Sequence, residues 1–307
     1  MDKVERISWI DTTRGIAILL VVFGHCMGYI DNPINKVILS FHMPLFFFLS
    51  GCCAKRKTDI AAFLKSKIRK LLPGQLFLAT TCVIYDFFAV GKLSIISNLF
   101  IWFLPVLFYT EIVFQIATDR TRPVFLGIAV VMILVLTQSR IHTIVHLEIV
   151  PMAFAFYVAG YYIMGGGVKQ QKTTKAIPMR TLIILVPALL VFSLCNEPVL
   201  MYENTYGKLF LFFPSAIIGI FTACVLGNAL KNSKLLTWAG QKSLLLYILH
   251  FKLTGIIHYG AKHIAGMNLD LYSSPHYYVV FFLEVVILYV MVKVIDRVRQ
   301  PRLIYRK

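Results

Sequence analysis

The chain has 307 residues, of which 58% are hydrophobic and 15% are charged, and its mean hydropathy is +0.76. Soluble domains are about half apolar and about one quarter charged, so this composition excludes an ordinary soluble fold and predicts a polytopic integral membrane protein. A net charge of +17 would indicate nucleic acid binding in a soluble protein. Here the basic residues flank long apolar runs, which is typical of membrane orientation, so we expect membrane lipid as a partner and no nucleic acid.

Ten apolar runs of about 17 to 25 residues, each long enough to cross a bilayer, follow one another along the sequence. They cover residues 12–30, 37–54, 71–90, 98–117, 122–139, 148–165, 181–196, 208–230, 243–260 and 277–295. The amino-terminal end, the even-numbered connections and the carboxyl-terminal end hold 25 of the 31 basic residues, and the odd-numbered connections hold the other 6. Because Lys and Arg are enriched in cytoplasmic loops, both termini are predicted to be cytoplasmic. The expected fold is all-α, with about ten transmembrane helices in a single domain over residues 1–307.

The first span carries three ionisable residues on one face. Arg14 and His25 are eleven residues apart, which is about three full turns of an α-helix, and Asp11 lies one turn before Arg14. His25 is then about 16 Å farther along the axis than Arg14, close to the predicted centre of the bilayer. Unpaired ionisable side chains are costly in hydrocarbon, so we interpret this face as a functional site. The alternative is an Asp11–Arg14 ion pair at the headgroups and a histidine that is satisfied within the bundle.

The connection between the second and third spans is the most basic segment of the chain. Lys65, Lys67, Arg69 and Lys70 crowd the predicted cytoplasmic mouth of the third span. Such a cluster would attract phosphate groups. The alternative is that these residues only anchor the span on the cytoplasmic side.

Polar residues on the predicted outer side are sparser. His42 is placed at the outer end of the second span, and His142, His146 and Glu148 cluster before the sixth. The spacing of His142 and His146 would suit a metal on one helix face, but no third ligand is nearby, so we expect a polar rim that faces substrate and no metal site.

Four more ionisable residues fall inside predicted spans, namely Asp86, Glu111, His250 and Glu284. Each is expected to face the bundle, because exposure to lipid would be costly. Glu111 and His250 lie on the predicted cytoplasmic halves of their spans, so either could form a hydrogen bond near Arg14.

Several segments resemble the membrane acyltransferase 3 family. The first is the run IDTTRG followed by an arginine-to-histidine spacing of ten intervening residues, from Arg14 to His25. Others follow in the family's order: FHMPLFFFLSG (41–51), WFLPVLF (102–108), the YVAGYYI run after Pro151, and WAGQKSLLLYILH (238–250). Within the family the sequence most resembles the short branch that includes fucose 4-O-acetylase-like sugar acetyltransferases.

This resemblance implies an O-acyltransferase of a bacterial-type inner (plasma) membrane. The donor would be acyl-CoA, usually acetyl-CoA, on the cytoplasmic side, and the acceptor would be a hydroxyl of a cell-envelope sugar or polysaccharide precursor, free or lipid-linked. His25 would be the essential histidine and Arg14 its partner. A neutral imidazole is suited to take the hydroxyl proton near pH 7.

The basic residues fit the donor side of the same reaction. Arg14, with Lys67, Arg69 and Lys70, would hold the phosphates of the donor, and Asp11 could orient Arg14. In the family two arginines stand three residues apart where this chain has Lys67 and Lys70. Lysine keeps the attraction for phosphate but lacks the bidentate fork of arginine.

A transporter or flippase is the alternative from another class, with Arg14 and His25 lining a path for an anion or protons. It would explain the charged residues in the first span equally well. The chain shows no internal repeat of the kind that many secondary transporters carry, which counts against it. Binding of acyl-CoA by the purified protein separates the two hypotheses, because only the enzyme requires it.

Overall fold

The computed structural model of the chain describes residues 7–28, 32–95, 98, 100–139, 141–164, 177–263, 266 and 275–299. Within these residues the fold is all-α, as predicted, and their only strand-like pairing is an isolated bridge between Leu200 and Thr205. The α-helices are α1 (Ser8–Met27), α2 (Pro33–Cys52), α3 (Ile60–Tyr85), α4 (Phe103–Ile116), α5 (Arg122–Ser139), α6 (Val150–Ile163), α7 (Leu182–Leu194), α8 (Leu209–Ala229), α9 (Lys234–Gln241), α10 (Ser243–His250), α11 (Leu253–His263) and α12 (His276–Arg299).

The helices confirm a polytopic membrane architecture. Seven helical segments are long and apolar enough to cross a membrane: Ser8–Met27, Pro33–Cys52, Ile60–Ala89, Arg122–Ser139, Leu209–Ala229, Ser243–His263 and His276–Val298. The other three predicted spans coincide with shorter apolar helices, Phe103–Ile116, Leu147–Ile163 and Met179–Leu194. The count of ten therefore stays a prediction. Residues 1–6 and 300–307 lie outside the described residues, and the cytoplasmic location of both termini stays a prediction as well.

Capping residues move two helix starts ahead of the predicted spans. The Asn32 side chain accepts a hydrogen bond from the Ile34 amide, and Pro33 occupies the first helical position, so α2 begins before residue 37. The Asp59 carboxylate accepts from the Ala62 amide, so α3 begins at Ile60 rather than at residue 71. The basic segment of the second connection is consequently helical.

The short helix α9 packs along the amino-terminal half of α1 and lies mostly in the predicted connection between the eighth and ninth spans. Ser233 caps it by accepting from the Leu236 amide. A Cβ atom on Gly15 would overlap the Leu236 carbonyl, and one on Gly240 would overlap the Asp11 carbonyl. These reciprocal glycines let the two backbones touch, which holds α9 against α1 next to Arg14.

The helices α1 and α2 lie at the centre of the bundle. Helix α1 packs against α2, α8, α9 and α12, and α2 packs against α6, α7 and α8. A second pair of reciprocal glycines joins α2 to α6: a Cβ on Gly51 would overlap the Tyr157 carbonyl, and one on Gly160 would overlap the Phe48 carbonyl. The helix that carries Arg14 and His25 is therefore in backbone contact with α9, and the helix that carries His42 is in backbone contact with α6.

Two predicted spans are irregular at positions that carry charge. Helix α3 passes into a π-helical turn over Asp86–Val90. The ninth span is broken between α10 and α11, where Phe251 and Lys252 form a turn. Irregular backbone inside a membrane protein is tolerated where it is buried in protein or lines a cavity.

Candidate active site

A cavity of about 790 Å³ lies at one end of the central helices. Its lining comes from α1, α2, the end of α3, the α10–α11 break and the segment before α8. Polar and aromatic side chains that line it are His25, Asn35, His42, Tyr85, Trp102, Tyr202, Tyr247, Phe251, Lys252 and Thr254. The volume is typical of pockets that hold a small molecule.

His25 lies in the last turn of α1. Since α1 ends at Met27, His25 is near the end of its helix, and its location close to the centre of the bilayer stays a prediction. Its ring packs edge-on against the His250 ring, with ring centroids 5.1 Å apart, and against the Phe251 ring at 5.8 Å. An aromatic wall therefore supports His25 on one side, and the cavity lies on another.

His42 shares the cavity with His25, and its predicted place at the outer end of a helix is wrong. It is the tenth residue of α2, because the helix begins at Pro33. Its Nδ1–H donates to the Ile38 carbonyl oxygen over 2.8 Å. A carbonyl only accepts, so this bond fixes the tautomer and leaves Nε2 with the lone pair. The side chain is buried, and α2 presents it to the cavity.

His250 is a third imidazole in the same region. Its Nδ1–H donates to the Tyr247 carbonyl over 2.7 Å and to the Leu246 carbonyl over 3.2 Å. Its Nε2 is buried and has no hydrogen-bond partner among the described residues. The prediction that His250 lies near Arg14 is wrong, since the bundle places its ring against His25 instead.

Arg14 lies at the opposite end of α1, half-buried between helices. Its guanidinium donates to the Leu49 carbonyl on α2 over 3.2 Å. Asp11 does not pair with it: the Asp11 carboxylate accepts from Gln241 at the end of α9 over 3.2 Å. Asp11 therefore stabilises the contact between α1 and α9, and it does not bind the Arg14 guanidinium.

The two lysines predicted to bind phosphate, Lys67 and Lys70, lie near Glu111 on α4. Lys67 Nζ contacts Glu111 Oε1 at 2.5 Å, and Lys70, which is exposed, interacts electrostatically with Lys67, Glu111 and Arg14. Glu111 pairs with Lys67, and the expected hydrogen bond of Glu111 near Arg14 stays a prediction. Arg69 lies on the other face of α3 and is exposed, because successive helical residues turn by about 100°. We call Arg14, Lys67, Lys70 and Glu111 the basic cluster.

The remaining intramembrane acids face the bundle, as predicted. Glu284 Oε2 accepts from Thr254 Oγ1 over 2.6 Å and from Cys26 Sγ over 3.4 Å. Asp86 forms an ion pair with Lys252, Nζ to Oδ1, over 3.0 Å. Both acids therefore have partners inside the protein.

The histidines predicted on the outer side, His142 and His146, do not line the cavity. His146 Nδ1 lies 3.7 Å from Glu148 Oε1, and Thr143 Oγ1 donates to Glu148 over 2.6 Å. Burial lowers the pKa of His146 from its ordinary value, against the opposing charge of Glu148. No group of three or more His, Cys, Asp or Glu side chains in the described part of the chain could hold a metal ion.

Sequence reasoning missed Lys252 and the rings around it. Lys252 falls in the middle of the predicted ninth span, two residues after His250. A lysine so far from either end of an apolar run is a signal that could have identified it as part of the site. The aromatic residues of the lining carry no such signal, because Phe, Tyr and Trp occur throughout this sequence.

The sequence over residues 7–294 matches the family described as an acyltransferase domain, the acyltransferase 3 family. No curated protein and no solved structure gives a significant match. The family match favours the enzyme over the transporter, since it spans every helix that builds the cavity and the basic cluster. The protein belongs to the acyltransferase 3 family of membrane acyltransferases.

Proposed function

We propose that this acyltransferase moves an acetyl group from acetyl-CoA at the cytoplasmic face to a hydroxyl of a cell-envelope sugar, free or lipid-linked, in a bacterial-type inner membrane. The observation that carries the proposal is the arrangement along α1. The basic cluster lies at the end of the helix that carries Arg14, and His25 lines the cavity at the other end. The two are about 16 Å apart along the axis.

The basic cluster suits the phosphates of the donor. Arg14, Lys67 and Lys70 are three cations against the single carboxylate of Glu111, which pairs with Lys67, so the cluster is positively charged. Charge-assisted hydrogen bonds from such groups to phosphate are roughly twice as strong as neutral ones. Acyl-CoA, when bound, supplies a thioester carbonyl that a hydroxyl can attack. Its flexible arm is suited to cross the distance between the cluster and the cavity.

The cavity supplies the base for the transfer. His25 takes the proton from the acceptor hydroxyl as the hydroxyl oxygen attacks the thioester carbonyl carbon. The new C–O bond forms, the C–S bond breaks, and the proton held on His25 is returned to the departing sulfur. The Nε2 of His42 accepts a hydrogen bond from a neighbouring hydroxyl, which orients the acceptor.

The first experiment measures release of free CoA from acetyl-CoA by detergent-purified protein, with an envelope polysaccharide extract as acceptor. His25→Ala and His25→Gln should lower the rate by about 100- to 10,000-fold, the usual contribution of a general base, while the variants insert and purify normally. Cys195→Ser is the matched control, because Cys195 is exposed and lies outside both sites. Normal turnover by a folded His25→Ala protein would refute the mechanism.

A further inference from the structure

The ion pair between Lys252 and Asp86 stands at the wall of the cavity, where two predicted membrane spans lose their regular helical form. Asp86 begins the π-helical turn at the end of α3, and Lys252 lies in the break between α10 and α11. Both side chains are partly buried, and ionisable residues within predicted membrane spans mark functional sites by default. Irregular helical turns are likewise frequent at functional sites.

The pair is oriented so that its positive end faces the cavity. Asp86 Oδ1 contacts Lys252 Nζ at 3.0 Å, and Asp86 Oδ2 accepts from Asn98 Nδ2 over 2.7 Å, so both carboxylate oxygens are engaged. Lys252 lines the cavity, while Asp86 is behind it. An ammonium has three N–H donors, and the contact with Asp86 uses one of them.

Aromatic faces hold the ammonium in this position. Lys252 Nζ lies 5.0 Å from the centroid of the Tyr85 ring and 5.8 Å from that of the Phe251 ring. Both rings line the cavity. A cation over two ring faces is stabilised without losing its hydrogen bonds, so its remaining donors stay available to a ligand.

The charges of the lining decide which ligand fits. Among the described residues that line the cavity, Lys252 is the one side chain with a permanent positive charge, and none is acidic. A negatively charged group gains about twice as much from the Lys252 donors as a neutral hydroxyl does. We infer that Lys252, positioned by Asp86 and Asn98, binds a carboxylate or phosphate on the acceptor, which is therefore an acidic sugar or a sugar phosphate. This inference rests on the proposed function, because it identifies the cavity as the acceptor site.

The test measures binding of three matched probes: methyl glucoside, methyl glucuronide and glucose 6-phosphate. Trp102 lines the cavity and reports occupancy by its fluorescence in a Trp9→Phe, Trp238→Phe background. One of the two anionic probes, or both, should bind at least about tenfold more tightly than methyl glucoside. The glucuronide and the phosphate distinguish a carboxylate from a phosphate. Equal binding of all three probes, or no binding of either anion, would overturn the inference.

Variants separate a ligand contact from a structural link. Lys252→Gln should bring the anionic probe to the level of the neutral one, Lys252→Arg should retain most of the preference, and Lys262→Gln, on the exposed end of α11, should change nothing. The exchange Asp86→Lys with Lys252→Asp should restore the thermal stability lost in Lys252→Gln but not the binding. Binding recovered in the exchanged protein, or undiminished in Lys252→Gln, would show that the pair only links helices.

Failure of the proposed function is measured independently. Release of CoA that depends on His25 requires no anionic group on the acceptor. If such release occurs and the probes bind without preference, then only the inference about Lys252 fails. If the anionic probes bind more tightly and substitution of His25 has no effect on CoA release, then only the proposed catalytic function fails.

Discussion

His25 on α1 meets His250 on α10 edge to face, with ring centroids 5.1 Å apart and planes inclined by 62°. The contact joins residues from opposite ends of the sequence. His250 is fully buried and its Nδ1–H is committed to backbone carbonyls of its own helix. Its ring therefore cannot turn freely, and it limits the orientations open to His25.

Substitution of His250 tests whether this ring positions His25 or exchanges protons with it. His250→Phe keeps an aromatic edge against His25, so we expect kcat to stay within about threefold of wild type. His250→Ala removes the ring, and the cavity left behind should cost about 2–4 kcal/mol of stability and about tenfold in kcat. The measurement is the acyl-transfer rate of each variant after its folding has been checked by thermal unfolding. A folded His250→Phe protein as inactive as His25→Ala would instead indicate direct proton transfer by His250.

Arg14 should act on donor binding. Loss of a charge-assisted contact to phosphate costs about 1.5–3 kcal/mol, so Arg14→Gln should raise the KM for acetyl-CoA about 10- to 100-fold, with a smaller effect on kcat. Arg14→Lys should be intermediate, because lysine keeps the charge without the fork. Steady-state kinetics with varied donor measures both.

The matched control for Arg14 is Arg69→Gln. Arg69 is exposed on the face of α3 away from the basic cluster, so its KM for acetyl-CoA should remain within about twofold of wild type. An effect of Arg69 as large as that of Arg14 would mean that the donor lies across the outside of α3.

The register of Arg14 and His25 could be predicted because it depends only on the geometry of one helix. The length of the apolar runs similarly predicted the ends of the other long helices to within a few residues. The third helix was the exception, since its first turns are basic and the Asp59 cap that starts them lies outside the apolar run. The helix α9 escaped prediction because it is too short to cross a membrane.

The cavity could not be predicted, because it forms between segments that are far apart in sequence. His25, His42 and Lys252 meet only once α1, α2 and the α10–α11 break are packed together. For the same reason His250 was expected near Arg14, and Asp11 was paired with Arg14 rather than with Gln241. For Glu111 the sequence supplied only its depth in the span, and not its ion pair with Lys67.

The close approach of α2 and α6 should be sensitive to a single methyl group. A Cβ on Gly160 would overlap the Phe48 carbonyl, so Gly160→Ala must push the helices apart and should destabilise the protein by about 1–3 kcal/mol. In Gly127→Ala the added Cβ meets nothing within 4 Å. That substitution should be neutral or stabilising by up to about 1 kcal/mol, because Ala favours the helix. Thermal unfolding in detergent measures the stability of both variants. Equal destabilisation by Gly160→Ala and Gly127→Ala would argue against a close contact between α2 and α6.

Arg122 should be the strongest structural cation of the predicted inner surface. Its side chain is fully buried, and its guanidinium lies 4.8 Å from the centroids of the Phe114 and Tyr161 rings. It also donates to the Ala117 carbonyl at the end of α4 over 3.3 Å and pairs with Asp119 at 2.7 Å. Arg122 thus joins α4, α5 and α6 at one point.

Arg122→Met should therefore lower the free energy of unfolding by about 2 kcal/mol or more, since it removes three cation–π contacts, with Phe114, Tyr161 and Tyr162, and a charged donor from a buried position. Arg120→Met is the control, because Arg120 is exposed two residues away and should lose less than about 0.5 kcal/mol. Cys26, Cys52 and Cys82 are buried and free, so in a Cys195→Ser background, which removes the exposed thiol, a thiol-reactive dye reports unfolding on heating. Donor KM and the response to His25→Ala should be unchanged in Arg122→Met at low temperature, because Arg122 belongs to neither site. Equal unfolding midpoints for Arg122→Met and Arg120→Met would show that the aromatic rings around Arg122 add nothing to stability.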